Sequence, residues 1–263
     1  MSKPNIINHR FKKQLLFAAM VMFTALPFTV KAQDGSSTDP FPIKTVQQLT
    51  SLAQRINAGG TFYFNPADSM YVTANATGRV AIANKGEGFF FKLVADIELN
   101  SGDVAASEGT GSYTQWVPIG NSNEHPFDGT FDGGHHLVSG VFISKPEANN
   151  MGLFGQTANH ATIKNLGVIR SYVCGQNDVG GIVGKTLGTI IDSCFFVGTV
   201  ISTNAHVGGV VGQISGETVV SHCYASATVS ATVSQVGGIV GCTDNAGDAC
   251  TITNCYSSSI VQG

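Results

Sequence analysis

From about Met151 onward the chain repeats one arrangement of apolar residues and glycine. Val179-Gly180-Gly181-Ile182-Val183-Gly184 returns as Val207-Gly208-Gly209-Val210-Val211-Gly212 and again as Val236-Gly237-Gly238-Ile239-Val240-Gly241, at steps of 28 and 29 residues. Met151-Gly152-Leu153-Phe154-Gly155 is a shorter, earlier copy. A second segment follows each copy: Ile163-Lys164-Asn165-Leu166, Ile191-Asp192-Ser193-Cys194, Val220-Ser221-His222-Cys223 and Ile252-Thr253-Asn254-Cys255. A third apolar stretch comes next, at 169–173, 198–201, 227–229 and 259–261. Each unit therefore offers three short strand-like pieces divided by Gly, Asn, Ser or Asp. None has the period or the length of a helix. Alone they cannot bury their apolar faces, but stacked in register they can, each coil ~4.8 Å from the next. A propeller blade needs four strands and ~40 residues. The pattern predicts an all-β chain, a right-handed parallel β-helix (a solenoid) over residues 127–263 with an incomplete last coil.

Stacking gives each repeat position a place. Leu166, Cys194, Cys223 and Cys255 form one inward ladder, and Asn165, Ser193, His222 and Asn254 sit at the bend before it, where Asn tolerates a left-handed backbone. The stacked cysteines read as apolar fillers, because in-register Cβ atoms ~4.8 Å apart are too distant for a good disulfide. Cys242 and Cys250 differ: they flank the extra loop 243–249 and are candidates to close it as a disulfide. The glycines Gly180, Gly181, Gly184, Gly208, Gly209, Gly212, Gly237, Gly238 and Gly241 recur too regularly for phosphate loops and read as close backbone packing.

Residues 43–126 hold the start of the coil. Ile43 to Ala58 predicts an amphipathic helix, with Thr45 and Gln48 as a capping box, Val46, Leu49, Leu52, Ala53 and Ile56 on one face, and Gly59-Gly60 as the stop. An open solenoid end exposes unpaired strand, so this helix is expected to be a capping α-helix over the first coil. Phe62 and Phe64 are expected to begin the first strands, and residues 33–42 to be a flexible leader. At the other end no capping segment follows Gly263, which suggests a longer protein or end-to-end association through the bare coil.

Residues 1–32 read as a signal peptide. Lys3, Arg10, Lys12 and Lys13 precede fourteen mostly apolar residues, Leu15 to Phe28, and Val30-Lys31-Ala32 supplies a cleavage site before Gln33. The run is short of the ~20 residues of a spanning helix. No cysteine precedes Cys174, so none is available there for a lipid anchor. Cleavage removes five of the fourteen Lys and Arg and none of the seventeen Asp and Glu, which leaves nine against seventeen and a net charge of −8. That balance speaks against nucleic acid and anionic membranes as partners. No later apolar run predicts membrane insertion, and the expected location is the cell surface or extracellular space, with the periplasm as an alternative.

Candidate chemistry is sparse. Asp128, Asp132 and His135, with Glu124, His125 and His136 near them, form the densest polar cluster and are the candidate metal ligands, Ca²⁺ included. Asp128-Gly129 and Asp132-Gly133 read first as turn formers. No His-Glu-x-x-His and no Gly-x-Ser-x-Gly elbow occurs, so no catalytic residue is nominated. His206 and His222 read as solvated. Phe195, Tyr224 and Tyr256 align near one edge and are the candidate ligand-binding residues, since an aromatic ladder stacks on sugar rings; the plainer reading is packing at a corner.

The Val-Gly-Gly-(Ile/Val)-Val-Gly repeats resemble the GLUG motif of bacterial secreted and surface proteins. The resemblance extends upstream to the 43–60 helix, Leu93-Val94-Ala95-Asp96-Ile97-Glu98-Leu99, Trp116-Val117-Pro118-Ile119-Gly120 and Phe127-Asp128-Gly129-Thr130-Phe131-Asp132-Gly133-Gly134-His135, so it covers roughly residues 43–263. Such repeats occur in adhesins, in haemagglutinin-like proteins and in non-catalytic stretches of immunoglobulin-A-cleaving peptidases, and the style is that of gut Bacteroidetes. The resemblance implies a surface or adhesive role and supplies no catalytic residues. The expected function is a non-enzymatic, adhesin-like surface protein that binds a glycan or host protein along the solenoid flank and needs no cofactor. The alternatives are a polysaccharide lyase or hydrolase acting through residues 128–136, and a passive stalk of a larger surface protein or peptidase.

Overall fold

The computed structural model describes residues 33–82, 84–107, 111–158, 160–244 and 249–263. The signal-peptide reading of residues 1–32 lies outside the described residues. Short alternating segments stack in parallel, coil upon coil, to give an all-β parallel solenoid with, among the described residues, one α-helix. A seven-stranded sheet is made by Phe41–Ile43, Phe90–Leu93, Thr130–Asp132, Thr162–Lys164, Ile190–Asp192, Val219–Ser221 and Thr251–Thr253. One column of this sheet runs Phe41, Phe91, Phe131, Ile163, Ile191, Val220, Ile252, each opposite the next. The first six are fully buried. In Thr162-Ile163-Lys164 the middle side chain faces in and its polar neighbours face away, as the period of two demands.

The second half of each Val-Gly-Gly repeat makes a four-stranded sheet: Phe154–Gln156, Val183–Lys185, Val211–Ile214 and Val240–Thr243, with Phe154, Val183, Val211 and Val240 stacked. The repeat needs its first glycine because a Cβ on Gly180, Gly208 or Gly237 would strike the carbonyl oxygen of Val183, Val211 or Val240 in turn. Backbone cannot give way as a side chain can, so the same contact excludes a side chain in three successive coils.

The third sheet departs from the expected short pieces. Gly167–Gly180 and Phe195–Gly208 are each one strand of 14 residues, running from the third apolar stretch of one unit into the glycine repeat of the next. Their pairing shifts register past Ile169 and again past Gly175. Arg170, left-handed at φ 51°, sits at the first shift. A bulge bends a strand without ending it, which is why turn-forming residues did not divide these strands. With their partners they build a nine-stranded sheet.

The helix runs Val46–Ala58. Thr45 Oγ1 accepts the Gln48 N–H at 3.2 Å, and Gln48 Oε1 accepts the Lys44 N–H at 2.8 Å. Leu49, Leu52, Ala53 and Ile56 are buried, and Gly59 ends the helix at φ 68°. Two expectations around it are corrected. Phe41–Ile43 closes the stretch expected as a flexible leader and is the first rung of the seven-stranded sheet; the Phe41 ring lies 4.5 Å from that of Phe64 and 5.8 Å from that of Phe91. Pro42 is tolerated because this is an edge strand. Phe62 and Phe64 do not start a coil. They belong to an antiparallel sheet of Phe62–Asn65, Met70–Val72 and Val80–Ile82 beside the helix.

Candidate functional site: the outer flank of the nine-stranded sheet

Period-two alternation divides the residues of this sheet between core and solvent. In the 195–200 stretch Phe196 and Val200 are buried, while Phe195, Val197 and Thr199 face out. One coil on, Ala225, Ala227 and Val229 are buried, and Tyr224, Ser226 and Thr228 face out. Register then sets outward columns. Phe195 lies opposite Tyr224, and Tyr224 opposite Tyr256. Val197 lies opposite Ser226, and Thr199, Thr228 and Ile260 form a further column. The Tyr224 and Tyr256 rings stack with centroids 4.5 Å apart and planes tilted by 33°, and Tyr256 is 66% exposed. Below them, the residue opposite Phe195 is Gly167, where a Cβ would sit 2.5 Å from Phe195 Cζ. The ring thus lies in the space a side chain would take.

Beside the aromatic column is a shallow depression of about 350 Å³ lined by Val197, Ser226, Thr228, Ile260, Asp103 and Arg170, among others. Arg170 is fixed there. It donates to Glu98 Oε1 at 2.8 Å, to Ser139 Oγ at 3.1 Å and to the Gly102 carbonyl at 3.2 Å. Thr199 donates to the Ala105 carbonyl at 3.1 Å. The flank thus combines an apolar platform, a row of hydroxyls and a held ion pair. Such a surface can bind a ring by stacking and hydrogen bonding.

The cluster expected as metal ligands is engaged with the protein. Asp128 is buried, and its Oδ1 accepts the His160 N–H at 2.9 Å. Asp132 Oδ1 accepts from the Gly134 N–H at 2.9 Å and from Asn165 Nδ2 at 3.0 Å, an Asx turn tied to the next coil. Burial pushes the Asp132 carboxyl up, but the bonds from Asn165 and Gly134, with Lys164 and Lys92 nearby, outweigh it and hold it below the ordinary value. His135 is exposed, with φ 63°. Among the described residues no three His, Cys, Asp or Glu side chains converge as metal ligands.

The cysteines carry free thiols. Cys194, Cys223 and Cys255 each donate to the carbonyl two residues back, Asp192, Ser221 and Thr253, at 3.1–3.3 Å. Leu166, Cys194 and Cys223 are buried, and Asn165, Ser193, His222 and Asn254 are left-handed, with φ of 51–54°. Burial pushes the Cys194 thiol well up. Cys242 donates to Thr243 and Cys250 to Gly216, and the two thiols considered for closing the 243–249 loop are not joined. Sequence reasoning missed a set of Asp–His pairs between coils. His136 meets Asp96 at 3.0 Å, His206 meets Asp178 at 2.6 Å and His222 meets Asp192 at 2.8 Å. His206, read as solvated, is therefore half-buried and paired. Asp178 and His206 stand 28 residues apart, one repeat, and that spacing was the available signal.

Residues 203–230 and 232–262 match the GLUG motif. The chain is 34% identical to halomucin of Haloquadratum walsbyi over 153 residues, 57% of this chain and 2% of halomucin. It is 32% identical to a protein of Evansella cellulosilytica named as a Gly-rich membrane protein, over 40% of this chain and 12% of that protein. The chain thus spans a small fraction of either relative. The crystal structure of a protein named as an immunoglobulin A1 protease of Bacteroides ovatus superposes with a TM-score of 0.53 at 18% identity, over 86% of this chain and 69% of the other, a likeness of fold alone.

Proposed function

We propose that this GLUG-motif repeat protein is an exported surface solenoid that binds a glycan through the Phe195–Tyr224–Tyr256 column and does no chemistry there. The observation that carries the reading is the stacked, solvent-facing Tyr224–Tyr256 pair on a flank that also presents the Ser226 and Thr228 hydroxyls. Buried aromatic rings are ordinary core, whereas a stacked pair left open to water offers a face to a sugar. The solenoid is read as right-handed, the hand that parallel crossovers take. The helix is read as a lid, supported by its apolar face and by the first rung lying immediately before it. Export is supported by the signal-like start, and among the described residues no helix is long and apolar enough to cross a membrane.

The test is retention of the purified protein on immobilised glycans and host matrix proteins, with and without EGTA. Tyr224→Ala with Tyr256→Ala should abolish selective glycan retention while leaving the unfolding midpoint nearly unchanged. Undiminished retention by the double variant would overturn the ladder. Loss in EGTA would add a calcium site. A passive stalk is the second reading, favoured by how little of halomucin the chain spans, and it predicts no retention on any ligand.

A further inference from the structure

A second concavity lies away from the aromatic column, between the helix and residues 114–121. It encloses about 390 Å³, within the range of small-ligand sites. Buried Ala53 and Trp116, with Val46 and Leu99, line it with apolar surface, Val117 adds an exposed apolar edge, and Thr50, Gln54, Gln115 and Asn121 supply polar groups. A shallower depression of about 430 Å³ adjoins it, sharing Val117 and Asn121 and adding Asn123 and Asn149. The walls are pinned. Asn57 Nδ2 donates to the Pro118 carbonyl at 2.9 Å, and Asn57 Oδ1 accepts the Gly120 and Asn121 N–H groups at 2.8 and 3.1 Å. Asn100 clasps Thr114 through both its amide atoms, at 3.0 and 2.8 Å, and Trp116 Nε1 donates to the Leu153 carbonyl at 3.0 Å. The cleft is therefore formed before any ligand arrives.

We propose that this cleft is a second binding site, and that it takes a neutral oligosaccharide. Its polar rim is made of amides and hydroxyls, which both donate and accept, and so match sugar hydroxyls that do the same. Among the described residues, Lys145, in the shallower part, is the one charged side chain lining either cavity. An acidic or multiply charged ligand would lose its hydration without a matching counter-charge in the deeper part. The apolar surface suits the C–H face of a pyranose. Two adjoining cavities that share one wall suit consecutive sugar units. The inference rests on these walls and does not depend on the tyrosine column.

Trp116 is the single tryptophan of the chain, so its fluorescence reports on this cleft. The purified protein would be titrated with gluco-, manno-, galacto- and N-acetylglucosamine tetrasaccharides, with oligogalacturonate as the acidic probe and octanol as the apolar one. The expected result is a saturable change in Trp116 emission with at least one neutral tetrasaccharide. That response should weaken roughly tenfold in Gln54→Ala with Asn121→Ala, two exposed rim positions. It should also weaken in Thr50→Arg, which crowds the cleft from the helix surface and serves if the rim variant misfolds. Tyr224→Ala with Tyr256→Ala should leave it unchanged, which separates this site from the outer column. Silence toward every neutral sugar would overturn the proposal. So would a response that survives the cleft variants, or one evoked only by octanol or oligogalacturonate.

Discussion

His222 reaches back across one coil to Asp192, whose carboxylate also accepts from Ser221 and Ser193. The Ser221 hydroxyl at 2.6 Å and then the His222 ring hold the Asp192 carboxyl below its ordinary value. Asp96 is held low in the same way, by the Leu137 N–H and then His136, and Asp132 by its bonds to Asn165 and Gly134 despite burial. Each pair ties one coil to the next at or beside a left-handed residue, His135, Asn165 or His222, and adds a side-chain tie to the inter-coil backbone bonds there, such as His222 N–H to the Thr253 carbonyl at 3.2 Å. The sign follows from the direction of the shift. A carboxyl depressed in the folded chain contributes stability above its unfolded pKa of about 3.9 and loses that contribution as pH falls through the folded value. The unfolding temperature should therefore drop as the pH is lowered below about 4. Calorimetry between neutral and acidic pH should find Asp192→Asn less stable at neutral pH and less steep in acid. Parallel curves for the variant and the parent would mean that the pair adds nothing to stability.

At the scale of the element, the glycine repeat and the long bent strands decide the architecture. A Cβ on Gly208 would meet the Val211 carbonyl, with the Gly241 nitrogen and the Ile239 oxygen each at 2.7 Å. All three obstacles are backbone from the same or the next coil. Gly208→Ala should lose about 1–3 kcal/mol in denaturant unfolding, the range for overfilling a packed interior. Ser226→Ala, on the outer face of the same nine-stranded sheet, should stay within about 0.5 kcal/mol. The spacing of the glycines made the parallel stack legible, because a period of 28 or 29 residues leaves few ways to bury such short strands. The first rung was not legible: Phe41-Pro42-Ile43 has three residues, one of them proline, too few to express an alternation. The long strands were hidden because bulges let Arg170 bend the chain where turn-formers usually end a strand. Of the sites, the Phe195, Tyr224 and Tyr256 column follows from register once the repeat is aligned. The cleft beside the helix does not, since Asn57 and Pro118 are 61 residues apart and share no motif.

Over the whole molecule, each coil of the solenoid touches the coil before it and the coil after it, so stability behaves as a sum of unit and neighbour terms. The buried column makes this testable. It is aromatic at one end, with Phe41, Phe91 and Phe131, and aliphatic beyond, with Ile163, Ile191 and Val220. Val220→Ala removes two methyl groups at a fully buried rung between Ile191 and Ile252 and should cost about 2 kcal/mol. A globular core would spread that loss through one cooperative unit. A chain of neighbour contacts confines it, so amide exchange should accelerate at 190–194 and 251–255 while residues 41–43 and 90–93 keep their protection. Uniform acceleration would mean that the coils unfold together. Local acceleration would mean that the flank at Tyr224 and Tyr256 proposed to bind glycan can loosen while the helix-side cleft, held by Asn57 and Asn100 against the first coils, remains formed.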